Sequence, residues 1–490
     1  MGSFIIGIIT LIAGYFLYGT FVEKIFKPDA ARKTPAYTKA DGVDYVPLPA
    51  WKVYMIQFLN IAGTGPIFGA IMGAKFGPSS YLWIVFGCIF AGAVHDYLCG
   101  MISIRNNGAG IPDLVGKYLG PNVKKVMLFF SLLLLLLVGT VFVYSPALIL
   151  GEMTGGEGNV TATLPWIAGI FGYYIIATLL PIDKIIGKIY PVFAFALIFM
   201  AVALMVCMFI KGPDIPEIWD GLDNLGPSIG LKGQSIFPCL FITIACGAIS
   251  GFHSTQSPMM ARCLTNEKLG RPIFFGAMIT EGIVALIWAA VSSYFFFGGG
   301  AAEVGGDLND AAPTIVTLVS NSWLGLFGGI LAILGVVSAP ITSGDTAFRS
   351  ARMIVADAIH LDQKPRRNRI RICIPLFLIA SGLLIYNISD ENGFNVIWRY
   401  FGWANQALAV FVLWMETVYL ATEKKNASYL ITEIPALFLT VVVITYLCSQ
   451  KIGFNLSMTV SLHIAMGVAI VLEAIFHNKI VKNLQGKKKK

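Results

Sequence analysis

The side chains of this chain that could do chemistry lie mostly inside apolar segments, where ionisable groups are rare. His253 sits in Ser250-Gly251-Phe252-His253-Ser254-Thr255-Gln256-Ser257-Pro258, among hydroxyl and amide side chains. An imidazole in that setting can bind a polar or anionic solute, and an ordinary pKa of about 6.5 lets it exchange a proton. His95 and Asp96 adjoin late in another apolar segment. A carboxylate there must be paired or face water, so Asp96 relays protons, holds a sodium ion or caps neighbouring helix ends. Glu281 stands alone in Met278-Ile279-Thr280-Glu281-Gly282-Ile283. It must face the protein interior, which makes it a proton-coupling candidate. Asn405 and Gln406 can each donate and accept, but neighbours on a helix point about 100° apart, so one of the two is expected to face a polar path. Arg399 offers a carboxylate a bidentate fork, or else snorkels to the interface.

Long apolar elements must position these groups. The chain has 490 residues, 56% hydrophobic and 13% charged, against about 25% charged in soluble domains, and its mean hydropathy is +0.75. The apolar runs reach about 20 residues, the length that crosses a bilayer core. Thirteen spans are expected, roughly 3–21, 51–73, 80–103, 124–148, 163–181, 189–210, 235–260, 273–297, 323–343, 370–388, 394–420, 428–448 and 455–476. The first is followed by Glu23-Lys24 with no small-residue cleavage site, so it is expected to remain as a span. Loops 24–39, 105–125, 262–271, 349–371 and 423–425 are basic, whereas 151–162, 211–234 and 298–322 are acidic or neutral. The positive-inside rule then places the N-terminus outside and the C-terminus in the cytoplasm. The net charge of +8 belongs to these loops and to the tail Lys487 to Lys490, so it marks no nucleic-acid partner. Residues 345–357 read as an amphipathic cytoplasmic helix, with Arg349, Arg352 and Asp357 on its polar face. The cluster Lys364-Pro365-Arg366-Arg367-Asn368-Arg369 is expected to meet anionic lipid. The eight cysteines are scattered without ligand spacing and read as core residues, with no metal site.

Two spans are broken in the middle. Residues 51–73 are interrupted at Gly63-Thr64-Gly65-Pro66, and residues 235–260 at Cys246-Gly247-Ala248-Ile249-Ser250-Gly251-Phe252-His253. Unpaired backbone groups are costly in hydrocarbon, so a membrane helix unwinds only where it lines a polar cavity. Spans 2 to 6 form one five-helix unit and spans 7 to 11 a second of opposite topology, each opening with a broken helix. This predicts an all-α LeuT-like five-plus-five inverted repeat with one extra helix in front and two behind, the mark of an alternating-access transporter. The expected divisions are 1–50, the repeats 51–210 and 211–422, and 423–490 with the last two helices and basic tail. Amides freed around Gly63, Thr64 and Gly65 would hold an anion, and Ser250, Gly251, His253 and Ser254 face it from the second break. Alternatively the glycines form a helix-packing seam. No HExxH, GxSxG or paired-cysteine signature is present, so no enzyme is expected.

The motifs Asp41-Gly42-Val43-Asp44-Tyr45-Val46-Pro47, Ile61-Ala62-Gly63-Thr64-Gly65-Pro66-Ile67-Phe68-Gly69, Phe90-Ala91-Gly92-Ala93-Val94-His95-Asp96-Tyr97, Ser250-Gly251-Phe252-His253-Ser254 and Phe401-Gly402-Trp403-Ala404-Asn405-Gln406-Ala407-Leu408-Ala409 resemble the carbon starvation protein A (CstA) family over roughly residues 25 to 420. His95-Asp96 departs from the Gln-Asp pair expected in relatives, and the chain is shorter than the long members. The resemblance implies a bacterial inner-membrane member of the amino acid–polyamine–organocation transporters. Its cargo would be pyruvate, imported with protons, or else short peptides, with no cofactor beyond the coupling ion. In LeuT-like sodium symporters, hydroxyls on the helix corresponding to the ninth span bind sodium, a role open to Thr342 and Ser343. Proton-coupled relatives replace that ion with a lysine, which Lys188 supplies unless it is an ordinary positive-inside residue. Membrane lipids are expected partners, and a homodimer is one assembly such a chain could form.

Overall fold

The computed structural model describes the chain apart from residues 156–159, 181, 232, 391–392, 425–426 and 482–490. For residues 160, 182–189, 191, 326–327, 393–395 and 481 it describes the backbone alone. The Lys188 side chain and the lysine tail therefore lie outside the described residues. Helices make up the fold, with no strand among the described residues. Eleven are long and apolar enough to cross a membrane: α1 (Gly2–Phe26), α4 (Ser79–Arg105), α5 (Pro121–Gly155), α6 (Thr161–Leu179), α7 (Val192–Lys211), α9 (Glu267–Phe297), α10 (Gly328–Ala358), α11 (Arg366–Ser389), α12 (Val396–Lys424), α13 (Ala427–Ser449) and α14 (Met458–Ile480). A bent pair, α2 (Ala50–Ala62) and α3 (Gly65–Ala74), adds a twelfth crossing if taken as one span. The seventh expected span, 235–260, contributes a helical stretch from Ile236 to Thr243 and then α8 (Gly251–Ala261), neither long enough to cross alone.

Burial follows the apolar setting. α9 and α12 are buried on nearly all sides, whereas α1 and α14 turn most of their apolar surface outward. Leu378, Phe195, Ile374 and Ile470 are among the large apolar side chains left exposed, as expected where the surrounding solvent is hydrocarbon. This is a multi-pass membrane protein.

The breaks have local causes. α2 stops at Gly63, whose φ of +23° and ψ of −149° suit glycine alone, and the chain resumes with Pro66 in the first turn of α3, bent by 49°. The second span unwinds from Ile244 to Ser250, with Gly247 at φ +91°. Gly65, Gly69 and Gly73 recur every fourth residue, and this stripe lets the two broken spans touch. A Cβ at Gly65 would stand 2.3 Å from the Cys246 Cβ, one at Gly69 would stand 3.0 Å from the Thr243 carbonyl, and one at Gly73 would stand 2.2 Å from Ile244 Cγ1. Small residues at this spacing are how membrane helices approach backbone to backbone.

The basic loops meet at one end of the bundle. There Arg105 and Arg32 reach Glu267, Arg262 reaches Asp357, and Arg352 reaches Asp44. Arg349 and Arg352 correct the expectation of a solvated polar face. Residues 345–357 are the end of the continuous helix Ala312–Ala358, which carries one non-helical residue at Gly325. Both guanidiniums are at most 1% exposed. Arg352 Nη2 donates to Asp44 Oδ1 at 3.0 Å and Oδ2 at 3.2 Å, while Arg349 lies 3.5 Å from the same carboxylate and donates to the Ala177 and Leu180 carbonyls at 2.7 and 2.8 Å. The loop before α2 is thus tied to the end of α10 through buried charge.

Candidate functional site

The breaks expose polar backbone, and the polar side chains gather there. α8 packs against α2, α4 and α12, which brings His253, Asp96, Glu281 and Asn405 together from four elements. His253 is the centre. Its Nδ1 lies 3.0 Å from Asp96 Oδ2 and its Nε2 lies 3.4 Å from Glu281 Oε2, all with no exposed surface. His95 Nδ1 holds the other Asp96 oxygen at 2.8 Å, so both imidazoles clamp one carboxylate. Glu281 Oε1 accepts the Gly247 amide at 3.1 Å, fixing it against the unwound segment. Among the described residues no lysine or arginine pairs with Asp96 or Glu281. The charge of this buried group can be balanced only by protons or by an incoming solute.

Asn405 holds the start of α8. Its Oδ1 accepts from the Phe252 amide at 2.7 Å and from Ser250 Oγ at 3.0 Å, and its Nδ2 donates to Cys246 Sγ at 3.7 Å. Cys246 in turn donates to Ser250 at 3.4 Å, so the three side chains close a ring. Gln406 Nε2 reaches the Phe241 carbonyl at 2.8 Å. Both α12 amides therefore grip the second broken span, on opposite sides of its break, where only one was expected to face the path. Gly251 packs on the backbone of Asn405, where a Cβ would meet its carbonyl at 2.2 Å, and Ser254 Oγ bonds the Gly251 carbonyl at 2.6 Å.

At the first break, Gln57 and Asn60 share one face of α2 by their spacing, and Thr64 follows just past the Gly63 break. Gln57 Nε2 lies 3.3 Å from Ser257 Oγ of α8, so that face looks towards the second broken span. Gln57 Oε1, both amide atoms of Asn60 and Thr64 Oγ1 are buried without a hydrogen-bond partner, and such groups await one. Ser343 Oγ donates to the Leu59 carbonyl at 2.7 Å, joining α10 to the last turn of α2. Thr342 instead bonds inside its own helix, to Ser338 and Ala339 at 3.0 and 2.8 Å. Both hydroxyls keep lone pairs that a cation could use. Arg399 is exposed, away from these groups.

Cys246, His253 and Glu281 place a sulfur, a nitrogen and an oxygen within 4.8 Å of one another. The contacts of Cys246 with Ser250 and Asn405 and of Glu281 with Gly247 account for this grouping as a hydrogen-bonding cluster.

Sequence reasoning did not single out Gln57, Asn60, Cys246, Asp44 or Glu416. Glu416 is fully buried, and no side chain among the described residues bonds either of its oxygens. It carries the signal that exposed Glu281, a lone acid in an apolar run. Asp44 lies in the polar loop motif Asp41 to Pro47, which gave no sign of its arginine partners.

Residues 2–167, 159–325 and 317–446 match the family described as carbon starvation protein CstA. The chain belongs to that family. An uncharacterized membrane protein of Haemophilus influenzae is 48% identical over 328 residues, covering 58% of this chain and 88% of the relative. Among CstA relatives with transport names, the Campylobacter jejuni peptide transporter CstA is 28% identical over 543 residues, covering 87% of this chain and 77% of its own. The Escherichia coli pyruvate/proton symporter BtsT is 25% identical over 566 residues, with 88% and 78% covered.

Proposed function

We propose that this protein is a secondary active transporter of the bacterial inner membrane, importing pyruvate by proton symport through alternating access. The observation that carries the proposal is the buried His253 group. Two carboxylates and two imidazoles sit at the meeting point of two interrupted helices, with no lysine or arginine among the described residues paired to balance them. A site whose charge changes only with protons and solute couples one to the other. On this reading Asp96, His253 and Glu281 carry the proton. Gly63, Thr64, Gly65, Ser250, Gly251, Ser254, Asn405 and Gln406 frame the substrate, joined by the unpartnered Asn60. No covalent bond of the cargo changes.

The same reading places the fold with the LeuT-like inverted repeats of the amino acid–polyamine–organocation transporters, α2–α3 and α8 being the two broken helices. It makes the arginine-rich end cytoplasmic, in keeping with the positive-inside rule. Ser343 and Thr342 would then be vestiges of a cation site, or would hold sodium in a sodium-coupled variant of the mechanism. A small cargo is supported by how closely the two breaks approach at Gly65 and Cys246. Short peptides are the second reading, favoured by the name of the Campylobacter relative.

Uptake of labelled pyruvate into proteoliposomes of purified protein, under an inward proton gradient without sodium, tests the proposal. Gradient-driven accumulation that excess di- and tripeptides leave unchanged is expected. Accumulation of labelled peptides but not pyruvate would overturn the substrate, and dependence on sodium would overturn the coupling ion.

A further inference from the structure

Glu416 stands outside the His253 group yet inside the same electrostatic neighbourhood. On α12 it lies eleven residues beyond Asn405, about 16 Å along the helix at 1.5 Å per residue. It lies eight residues before Lys424, where the helix reaches the arginine-rich end. It therefore occupies the interval between the site and that surface. Its carboxyl is fully buried, no side chain among the described residues bonds either oxygen, and the backbone amide of Cys99 is the donor that approaches it. The titratable groups facing it are Asp96 and the Cys99 thiol, one helical turn apart on α4, and it interacts electrostatically with both. Its neighbour Thr417 is engaged with Thr432 of α13 at 2.9 Å, and no lysine, arginine or histidine pairs with Glu416 among the described residues. A carboxyl so placed is costly to ionise and so holds a proton while it is buried, releasing it only where water reaches it.

We propose that Glu416 is a second proton-binding site, through which the proton leaves the His253 group for the arginine-rich end. The N–H or O–H bond that holds the transported proton in the His253 group breaks, and the proton, passed on through water, bonds to a Glu416 carboxylate oxygen. Asp96 is left as a carboxylate held by His253 and His95. When that end opens, the Glu416 O–H gives its proton to water, so one proton enters and one leaves. The proposal rests on the proton-symport reading above. It adds that the acid and base steps belong to different depths of the protein, Glu281 and His253 at the breaks and Glu416 below them.

Dicyclohexylcarbodiimide, which modifies protonated carboxyls in apolar surroundings, tests this on the unaltered protein in proteoliposomes, with adducts located by peptide mass spectrometry. An adduct on Glu416 is expected, its rate falling about tenfold per pH unit above a midpoint, as a one-proton titration requires. No adduct at any pH, or a rate indifferent to pH, would overturn the proposal. In parallel, Glu416→Gln is expected to lose proton-driven accumulation of labelled pyruvate while keeping exchange of labelled for unlabelled pyruvate across the membrane. Glu416→Asp is expected to restore accumulation with a displaced pH profile. Undiminished accumulation by Glu416→Gln would overturn the proposal. If the unaltered protein accumulates neither pyruvate nor peptides, the symport reading fails, while the labelling still decides whether Glu416 binds a proton.

Discussion

The contact between Asp44 and the two buried arginines offers a prediction whose size follows from its geometry. Asp44 is 3% exposed and is the shared partner of Arg352 at 3.0 Å and Arg349 at 3.5 Å. Asp44→Asn leaves two guanidiniums buried without a carboxylate, and breaking a buried pair this way costs about 3–5 kcal/mol. Arg352→Ala leaves Asp44 with Arg349 alone and should cost less. Because the pair ties the loop before α2 to α10, the cost falls on the state in which that end is closed. At 1.4 kcal/mol per tenfold, a loss of about 3 kcal/mol raises the open population roughly a hundredfold. Cys263 is a built-in reporter, being fully buried with its thiol directed at the Asp44 carbonyl, 3.9 Å away. Its reaction with a water-soluble maleimide, followed by peptide mass spectrometry in inside-out vesicles, should accelerate by one to two orders of magnitude in Asp44→Asn and less in Arg352→Ala. The pH dependence has a definite sign. Burial alone would raise the Asp44 pKa, but the Arg352, Arg349 and Arg262 guanidiniums outweigh it and hold the carboxyl below its ordinary value. Its contribution is therefore complete above the ordinary carboxylate value and is lost only as the pH falls through the lowered one. Labelling, expressed relative to that of the unfolded chain at the same pH so that the thiolate's own titration cancels, should stay flat from neutral pH downward and rise only below about pH 4. Labelling rates within about twofold of the unaltered protein in both variants would refute the assignment of buried-pair energy to this contact.

Three further outcomes follow from the site. Gly65→Ala should abolish uptake, since its Cβ would fall 2.3 Å from the Cys246 Cβ, an overpacking that costs about 1–3 kcal/mol. Cys246→Gly in the same chain should restore part of it, and failure of that rescue would mean the damage lies elsewhere. His253→Ala and Glu281→Gln should each cut gradient-driven accumulation far more than exchange, measured in the same vesicles. Equal losses in the two modes would point to a broken binding site instead. Asn405→Ala frees the Phe252 amide and Ser250 hydroxyl at once and should destabilise the protein by about 1–3 kcal/mol, seen as a lower thermal midpoint in detergent.

The two breaks and most of the central group were legible in the sequence, because each carries a strong local signal. Glycine and proline inside an apolar run announce an unwound helix, and His253, Asp96 and Glu281 are each too costly in hydrocarbon to be there by accident. Which of them touch was not legible. The pairing of His253 with Asp96 on one side and Glu281 on the other is fixed by how α4, α8 and α9 pack, and no residue spacing records it. Arg349 and Arg352 show the same limit in another form. Amphipathic periodicity says which side chains share a face, but not whether that face meets water or the buried carboxylate of a distant loop. Gly65 was read either for its freed amide or as part of a packing seam, and the seam's partners, Cys246 for Gly65, Thr243 for Gly69 and Ile244 for Gly73, became visible only once both broken spans were placed. The second broken span lies where it was expected, but unwinding shortens its helical parts below what a crossing needs, so length and composition alone do not count it as a span.

Asp44 stands six residues before Ala50, the first residue of α2, and Gly63 closes that helix at its other end. The thirteen residues between them form a stiff rod of about 20 Å. A rod clamped at one end by buried arginines and hinged at the other on a glycine behaves as a crank. Letting go of Asp44 frees the Ala50 end to turn about Gly63, and the rotation is delivered at the hinge, beside Asn60 and next to Thr64. Unlocking the doorway and loosening the grip on whatever lies between the breaks are then a single stroke.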